Sequence, residues 1–154
     1  MLRIGKLTDY GTVVLGMLAQ EPERHRAAAD LADKTRLSRP TVSKVLKELQ
    51  RAGMVISSLG AHGGYRLARR PELITAAQIL DVFEGPLALT ECSSASSHCS
   101  IERLCRVGGA WQRVNAAIRR ALEDLTLHQL AGLDSAGLRV SQLAADIRTR
   151  THQP

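Results

Sequence analysis

The chain has 154 residues, of which 44% are hydrophobic and 23% are charged, so it can form one compact domain or a small domain with an appendage. Aromatic residues are only 3% of the chain, which argues against a reader of single-stranded nucleic acid, because such proteins stack bases on aromatic side chains. No segment reaches the roughly 18 apolar residues that a membrane span needs, and the N-terminus lacks a secretion signal. We therefore expect a cytoplasmic protein with no membrane partner.

The excess positive charge lies in the first half of the chain. Residues 1–70 contain 13 Lys and Arg against 6 Asp and Glu, whereas residues 71–154 contain 8 against 9. A basic half beside a neutral half indicates a module that binds a polyanion, joined to a segment with another task.

Three helices are predicted before residue 54. Thr8 is expected to cap the first helix, and residues 27–35 form a short second one. Ser38 is a good N-cap for a third helix, which runs to about residue 52 and stops at Gly53. The third helix has a predicted buried stripe of Val42, Val45, Leu46 and Leu49.

A hairpin and a fourth helix follow. Residues 54–59 and 65–68 are β-prone and flank a turn that contains three glycines, which predicts a two-stranded hairpin. Thr75 is expected to cap a helix through Phe83, because the Gly-Pro pair at residues 85–86 breaks the pattern.

The second half predicts a loop and a longer helix. Residues 90–100 are rich in serine and poor in helix formers, so we expect a loop. A helix is predicted from Gly109 until Gly132, because apolar residues follow steps of three and four. Those residues are Trp111, Val114, Ile118, Leu122 and Leu125.

These elements predict a mostly α protein: a winged helix-turn-helix with a small two-stranded β wing and a long C-terminal helix. The expected organisation is a DNA-binding domain over residues 1–85, a cysteine-bearing loop over 86–108, the long helix over 109–131 and a flexible tail over 132–154.

The third helix and the hairpin carry the candidate DNA-binding residues. In a helix-turn-helix, the start of the recognition helix reaches base edges in the major groove. A merely solvated basic face and an ordinary glycine turn are the alternatives, and their conjunction with the local charge excess favours DNA binding. The candidates are Arg39, Thr41, Ser43 and Lys44 for bases, Lys47 and Arg51 for phosphates, His62 and Arg66 on or beside the hairpin tip, and Pro40 at the start of the third helix.

Three thiols lie within 14 residues, at Cys92, Cys99 and Cys105. Thiolates are soft ligands that suit iron–sulfur clusters or zinc. Three inert cysteines remain an alternative, and His98 could complete a zinc site of three cysteines and one histidine. An enzyme with a cysteine nucleophile is disfavoured because no catalytic motif accompanies the thiols.

The stretches "LSRPTVSKVLKELQRAGMV" and "GAHGGYRLAR" resemble the bacterial winged-helix iron–sulfur regulators typified by IscR and NsrR. The opening "KLTDYGTVVLGMLA" is similar to their first helix, most of all in the branch that regulates the SUF operon. The resemblance covers about residues 1–130. It implies a homodimer on a palindromic operator of double-stranded DNA, with a dimerisation helix near residues 109–130.

The same resemblance implies an iron–sulfur cluster held by Cys92, Cys99 and Cys105, although the first gap is one residue longer than in IscR-like members. The histidine ligand of those members would fall at position 108, where this chain has Gly108. Asp9 matches the aspartate that completes a [4Fe–4S] site from the partner subunit in NsrR-like members. We therefore expect [4Fe–4S], with [2Fe–2S] as the alternative.

The function implied by the resemblance is a cluster-dependent regulator, and not an enzyme. We expect it to repress genes for iron–sulfur assembly such as the SUF operon. The alternatives are a repressor of stress genes that senses nitric oxide or redox state, and, in a different class, a zinc-stabilised interaction module.

Overall fold

A computed structural model of the chain describes residues 4–60, 62–93 and 107–133, and the side chain of Cys92 is not among the described features. The predictions for His98, Cys99, Cys105 and the tail after residue 133 lie outside the described residues. Six helices are described: α1 (Lys6–Ala19), α2 (Ala28–Thr35), α3 (Arg39–Arg51), α4 (Ala76–Glu84), α5 (Gly108–Asp124) and α6 (Leu127–Leu130). The strands are β1 (Val55–Ser58) and β2 (Gly64–Leu67), and short 3-10 turns span Pro71–Leu73 and Glu91–Ser93.

The hydrophobic core lies between α1, α2, α3 and the base of the hairpin. The predicted stripe of α3 is completely buried, which confirms that part of the sequence analysis. In α1 the buried side is set by Val14, Leu15 and Leu18, whereas Val13 is 43% exposed. Burial of this many aliphatic side chains, at about 25 cal/mol per Å² of apolar area, fixes the orientation of α3 against α1.

The start of α1 is stabilised by a residue far along the chain. The helix begins at Lys6, so the prediction that Thr8 caps it is wrong. The Gly5 backbone N–H donates to Oε1 of Glu84 at 2.9 Å, and the Thr8 hydroxyl donates to the same oxygen. A carboxylate from the end of α4 therefore accepts the N–H of Gly5, the N-cap of α1, at a helix end whose N–H groups lack partners within the helix.

The hairpin is antiparallel, with Val55 opposite Leu67 and Ser58 opposite Gly64. Near the turn, Arg26 pairs with Tyr65 of β2 through two backbone hydrogen bonds of 2.9 and 2.8 Å. Gly64 has a φ of +144°, and a Cβ there would lie 2.5 Å from the carbonyl oxygen of Arg26. A glycine is therefore required where the chain before α2 passes the hairpin.

The C-terminal helical region is divided in two, so the prediction of one helix to residue 131 is wrong. The helix α5 ends at Asp124, Leu125 is extended, and Thr126 caps α6 with a capping box to Gln129. The Leu125 carbonyl accepts from the Ala76 N–H at 2.7 Å. This backbone pairing with the start of α4 interrupts the helix, and it directs fully buried Leu127 into the core of the first half.

A capping box also begins α4, where Thr75 and Gln78 bond each other's backbone N–H groups. This confirms Thr75 as the predicted cap. The helix ends at Glu84, before Gly85 with a φ of +80°. Among the described residues, no helix is both long and apolar enough to cross a lipid bilayer.

Candidate functional site

The start of α3 is fixed by its N-cap. Ser38 Oγ accepts from the Thr41 backbone N–H at 3.3 Å and lies 2.7 Å from Thr41 Oγ1. Pro40 occupies the first turn, where its missing N–H costs nothing. The cap confirms the predicted start of the helix. It holds Arg39 and Pro40 at an exposed helix end, while Thr41 is half-buried.

The structure brings seven of the predicted DNA-binding residues together on α3. Ser43, Lys44 and Lys47 are exposed on the side opposite the buried stripe. Arg51 is exposed too, but it forms an ion pair with Glu48 at 3.1 Å. Arg39, Lys44 and Lys47 have no ion-pair partner among the described residues, so their charges remain available for an anionic ligand.

The hairpin is attached to α3 by a side-chain contact. Gln50 Nε2 donates to Ser57 Oγ at 3.0 Å, which joins the C-terminal half of α3 to β1. The turn contains Gly60 with a φ of +107° and exposed His62. Leu59 beside it is completely exposed, a feature of the tip that sequence reasoning did not single out.

Arg66 does not join the free cations of α3. Its Nη1 donates to the Leu67 carbonyl at 3.2 Å and lies 3.8 Å from a carboxylate oxygen of Glu23. The register places Arg66 opposite Ile56, away from the hairpin tip. Its guanidinium therefore contacts the loop between α1 and α2.

Arg26 is a buried charge that sequence reasoning missed. Its side chain is only 4% exposed and forms ion pairs with Glu21 and, at 3.0 Å, with Asp30. The hydrogen bond from Arg26 keeps the pKa of Asp30 below its ordinary value. The pKa of Glu21 is also lowered, first by its hydrogen bond from Arg24. Because the Arg26 backbone pairs with Tyr65, these contacts join α2 to the hairpin.

Two of the four predicted metal ligands lie at least partly in the described residues. Asp9 is exposed in the first turn of α1, and its carboxylate has no hydrogen bond or ion pair with any described residue. The backbone of Cys92 lies in the 3-10 turn Glu91–Ser93. No group of three metal-binding side chains occurs within residues 4–60, 62–93 and 107–133. The set of three thiols and a free carboxylate fits an iron–sulfur cluster in its donor chemistry.

The segment before Cys92 is held by α5. Asn115 Nδ2 donates to the Leu87 carbonyl and its Oδ1 accepts from the Leu89 N–H, each at 3.1 Å. Arg119, one turn further along, forms a two-pronged ion pair with Asp81 on α4, at 2.6 and 2.8 Å. Hydrogen bonds to Asp81 and then to Glu123 raise the pKa of Arg119 further, so its charge is permanent.

Apolar residues at the start of α5 are uncovered. Val107 just before the helix, Trp111 and Val114 are between 43% and 59% exposed. Exposed apolar clusters with polar surroundings are characteristic of association surfaces.

Comparison with known proteins identifies a family that matches most of the chain. Residues 4–132 match the Rrf2 family, described as "Iron-dependent Transcriptional regulator". The regulator NsrR of Shouchella clausii is 30% identical over 131 residues, which are 84% of this chain and 88% of that protein. The structure of CymR, the global cysteine regulator of B. subtilis, is 31% identical to this chain and superimposes with a TM-score of 0.69. The match covers 88% of this chain and 100% of the CymR chain. The T. potens IscR structure is 27% identical with a TM-score of 0.66, over 93% and 96%.

Proposed function

The chain belongs to the Rrf2 family of transcriptional regulators, and we propose that it is an iron–sulfur-dependent repressor that binds a palindromic operator as a homodimer. The observation that carries the proposal is the exposed face of α3, where unpaired cations lie opposite a fully buried apolar stripe and beside an attached hairpin. Because the relatives are named as regulators of transcription, a regulatory role is favoured over a catalytic one.

In this proposal α3 enters the major groove of the operator. Arg39, Ser43 and Lys44 lie in the first half of the helix, where side chains reach base edges. Lys47 lies one turn further along and neutralises a phosphate, which adds affinity without sequence preference. Thr41 shares its hydroxyl with Ser38, so its part is to fix the helix end as well as to contact a base.

The α3 assignment is tested by comparing Lys47→Ala with Ser43→Ala on operator and random DNA. Lys47→Ala should weaken binding to both DNAs and reduce the salt slope by about 1. Ser43→Ala should lower the preference for the operator and leave the salt slope unchanged. Arg120→Ala, which removes an exposed charge from α5, is the matched control and should change neither value. Equal losses on both DNAs for both α3 variants would contradict the assignment.

We assign Asp9, Cys92, Cys99 and Cys105 as the ligands of the proposed cluster. When bound, the cluster would supply redox and gas-reactive chemistry to a site joined to the DNA-binding domain. The residues of the chain support this role: Asp9 is free at the start of α1, and Glu84 fixes that start to α4. The segment that leads to Cys92 is fixed to α5 by Asn115.

The ligand assignment is tested by anaerobic absorption spectra with iron and sulfide assays. Cys99→Ala should abolish the absorption band at roughly 400 nm that we expect for a [4Fe–4S] protein, and Asp9→Ala should alter that band. Asp33→Ala, an exposed acid on α2, is the matched control and should keep the full spectrum. A full cluster in Cys99→Ala would contradict the assignment, and a colourless protein with zinc would favour a zinc site.

The genes we propose as targets are those for iron–sulfur assembly, such as the SUF operon. A second candidate is regulation of cysteine metabolism, which is favoured by the likeness to CymR in sequence and structure. In that case the thiols would act without a cluster. Operator binding that depends on thiol oxidation, in a protein that binds no iron, would favour the second candidate.

A further inference from the structure

The side-chain amide of Asn115 makes two hydrogen bonds to one short piece of backbone. Its nitrogen donates to the carbonyl of Leu87, and its oxygen accepts from the N–H of Leu89, at 3.1 Å each. In a β-sheet, a strand offers a carbonyl and an N–H two residues apart to the adjacent strand. Here the Asn115 amide pairs with the same two kinds of backbone group in place of an adjacent strand. The partners are 26 and 28 residues away in sequence, and the contact is therefore tertiary.

The backbone after this contact is short and tightly turned. Only Thr90 separates Leu89 from the 3-10 turn Glu91–Ser93 that contains Cys92. The Ser93 N–H donates to the Thr90 carbonyl at 2.9 Å, and their hydroxyl oxygens lie 2.8 Å apart. The Cys92 backbone is thus connected to Asn115 through three residues, Leu89, Thr90 and Glu91.

Asn115 lies in the interior of α5. Asparagine is a poor helix former in the interior of a helix, and the helix gains nothing from it locally. Its amide satisfies one backbone donor and one backbone acceptor of a partly buried segment. Arg119 on the same helix forms an ion pair with Asp81 on α4.

We infer that Asn115 is a positioning residue that sets the location of Cys92 relative to α5. The exposed apolar residues Trp111 and Val114 lie on the same helix, so any movement of α5 against a second copy of the chain is transmitted to the backbone of Cys92. The inference deepens the proposed function and rests on it for the role of Cys92 as a ligand.

The first measurement uses the full chain with Cys99→Ser and Cys105→Ser, which leaves Cys92 as the single thiol. Asn115→Ala should increase both the alkylation rate of Cys92 and hydrogen exchange at the Leu89 amide by about tenfold, since two hydrogen bonds are lost. Asn115→Asp keeps the acceptor but loses the donor, so alkylation should rise while Leu89 stays protected. Arg120→Ala, exposed and unpaired among the described residues, is the control and should change neither rate.

The second measurement uses the chain with all three cysteines and follows the rate of cluster loss in anaerobic protein. Asn115→Ala should lose the cluster faster than the parent and the Arg120→Ala control. If alkylation and exchange are unchanged in both Asn115 variants, the inference is overturned. If both rates rise but no form of the protein binds iron, Asn115 still positions Cys92 and the proposed cluster function is the part that fails.

Discussion

The helices α3 and α5 are built in opposite ways. In α3 the apolar stripe is completely buried and the charged side faces outward. In α5 the apolar residues Trp111 and Val114 are exposed, and Asn115 and Arg119 make polar side-chain contacts to the rest of the chain. Burial within its own chain therefore fixes α3, whereas α5 leaves apolar area uncovered beside its polar contacts.

This difference indicates what each helix is for. A helix fixed by an apolar stripe presents its outer side chains in one orientation, as the recognition of base edges requires. A helix that leaves apolar area uncovered gains stability by covering it, at about 25 cal/mol per Å². For α5 the proposed cover is the same helix of a second chain, because such a contact is self-complementary in a two-fold dimer.

The largest expected effect comes from breaking the buried side of α3. Leu46→Ala should lower the free energy of unfolding by about 2–5 kcal/mol, because it leaves a cavity among fully buried side chains. Urea unfolding monitored by circular dichroism measures this loss. A loss of unfolding free energy below about 1 kcal/mol would mean that the apolar stripe of α3 is not tightly packed.

The exposed side of α5 should respond differently. Trp111→Ala should weaken the dimer by at least about tenfold, since aromatic anchors dominate protein interfaces. Sedimentation equilibrium over a dilution series measures the dissociation constant. Arg113→Ala, which changes an exposed charge on the same helix, is the control. An unchanged dissociation constant in Trp111→Ala would place the dimer contact elsewhere.

The α3 region could be predicted from the sequence because its signals are local. Ser38 and Gly53 mark the two ends of one helix, and both positions are confirmed. The apolar spacing between them gave the buried stripe, and the glycines after β1 gave the hairpin. Each of these signals lies within a few residues of the structure that it determines.

Other features depend on residues far apart in sequence. Glu84 accepts hydrogen bonds from the Gly5 N–H and the Thr8 hydroxyl at the start of α1. This distant partner is not visible in the local sequence, which is why the prediction of Thr8 as the cap is wrong. The burial of Arg26 involves the backbone of Tyr65 in β2 as well as two carboxylates. The break before α6 had a local signal, since Thr126 and Gln129 repeat the capping pattern of the start of α4, but the apolar spacing through Leu125 concealed it.

The polar contact of α5 with α4 can be weakened without changing the exposed apolar residues Trp111 and Val114. Asp81→Asn should lower the free energy of unfolding by about 1 kcal/mol or less, because the ion pair with Arg119 is about one-third exposed and screened by solvent. Hydrogen exchange in α5 should increase more than in α3. Asp124→Asn, an exposed carboxyl with no described partner, is the control. Equal exchange changes in both helices would mean that α5 is as firmly fixed as α3.

The smallest expected effect is a pH dependence at the start of α1. Hydrogen bonds from Thr8 and from the Gly5 N–H hold the pKa of Glu84 below its ordinary value. The folded protein therefore binds this proton less readily than the unfolded chain, so the contribution of Glu84 to stability is present above the ordinary glutamate pKa and is lost as pH falls through the lowered one. Glu84→Gln should flatten the acid limb of a plot of stability against pH, and the parent and variant should differ least at the lowest pH. Thr8→Ala removes the hydrogen bond that lowers the pKa of Glu84 most, so it should reproduce part of this flattening. Identical acid limbs in all three proteins would show that the carboxylate of Glu84 does not stabilise the start of α1.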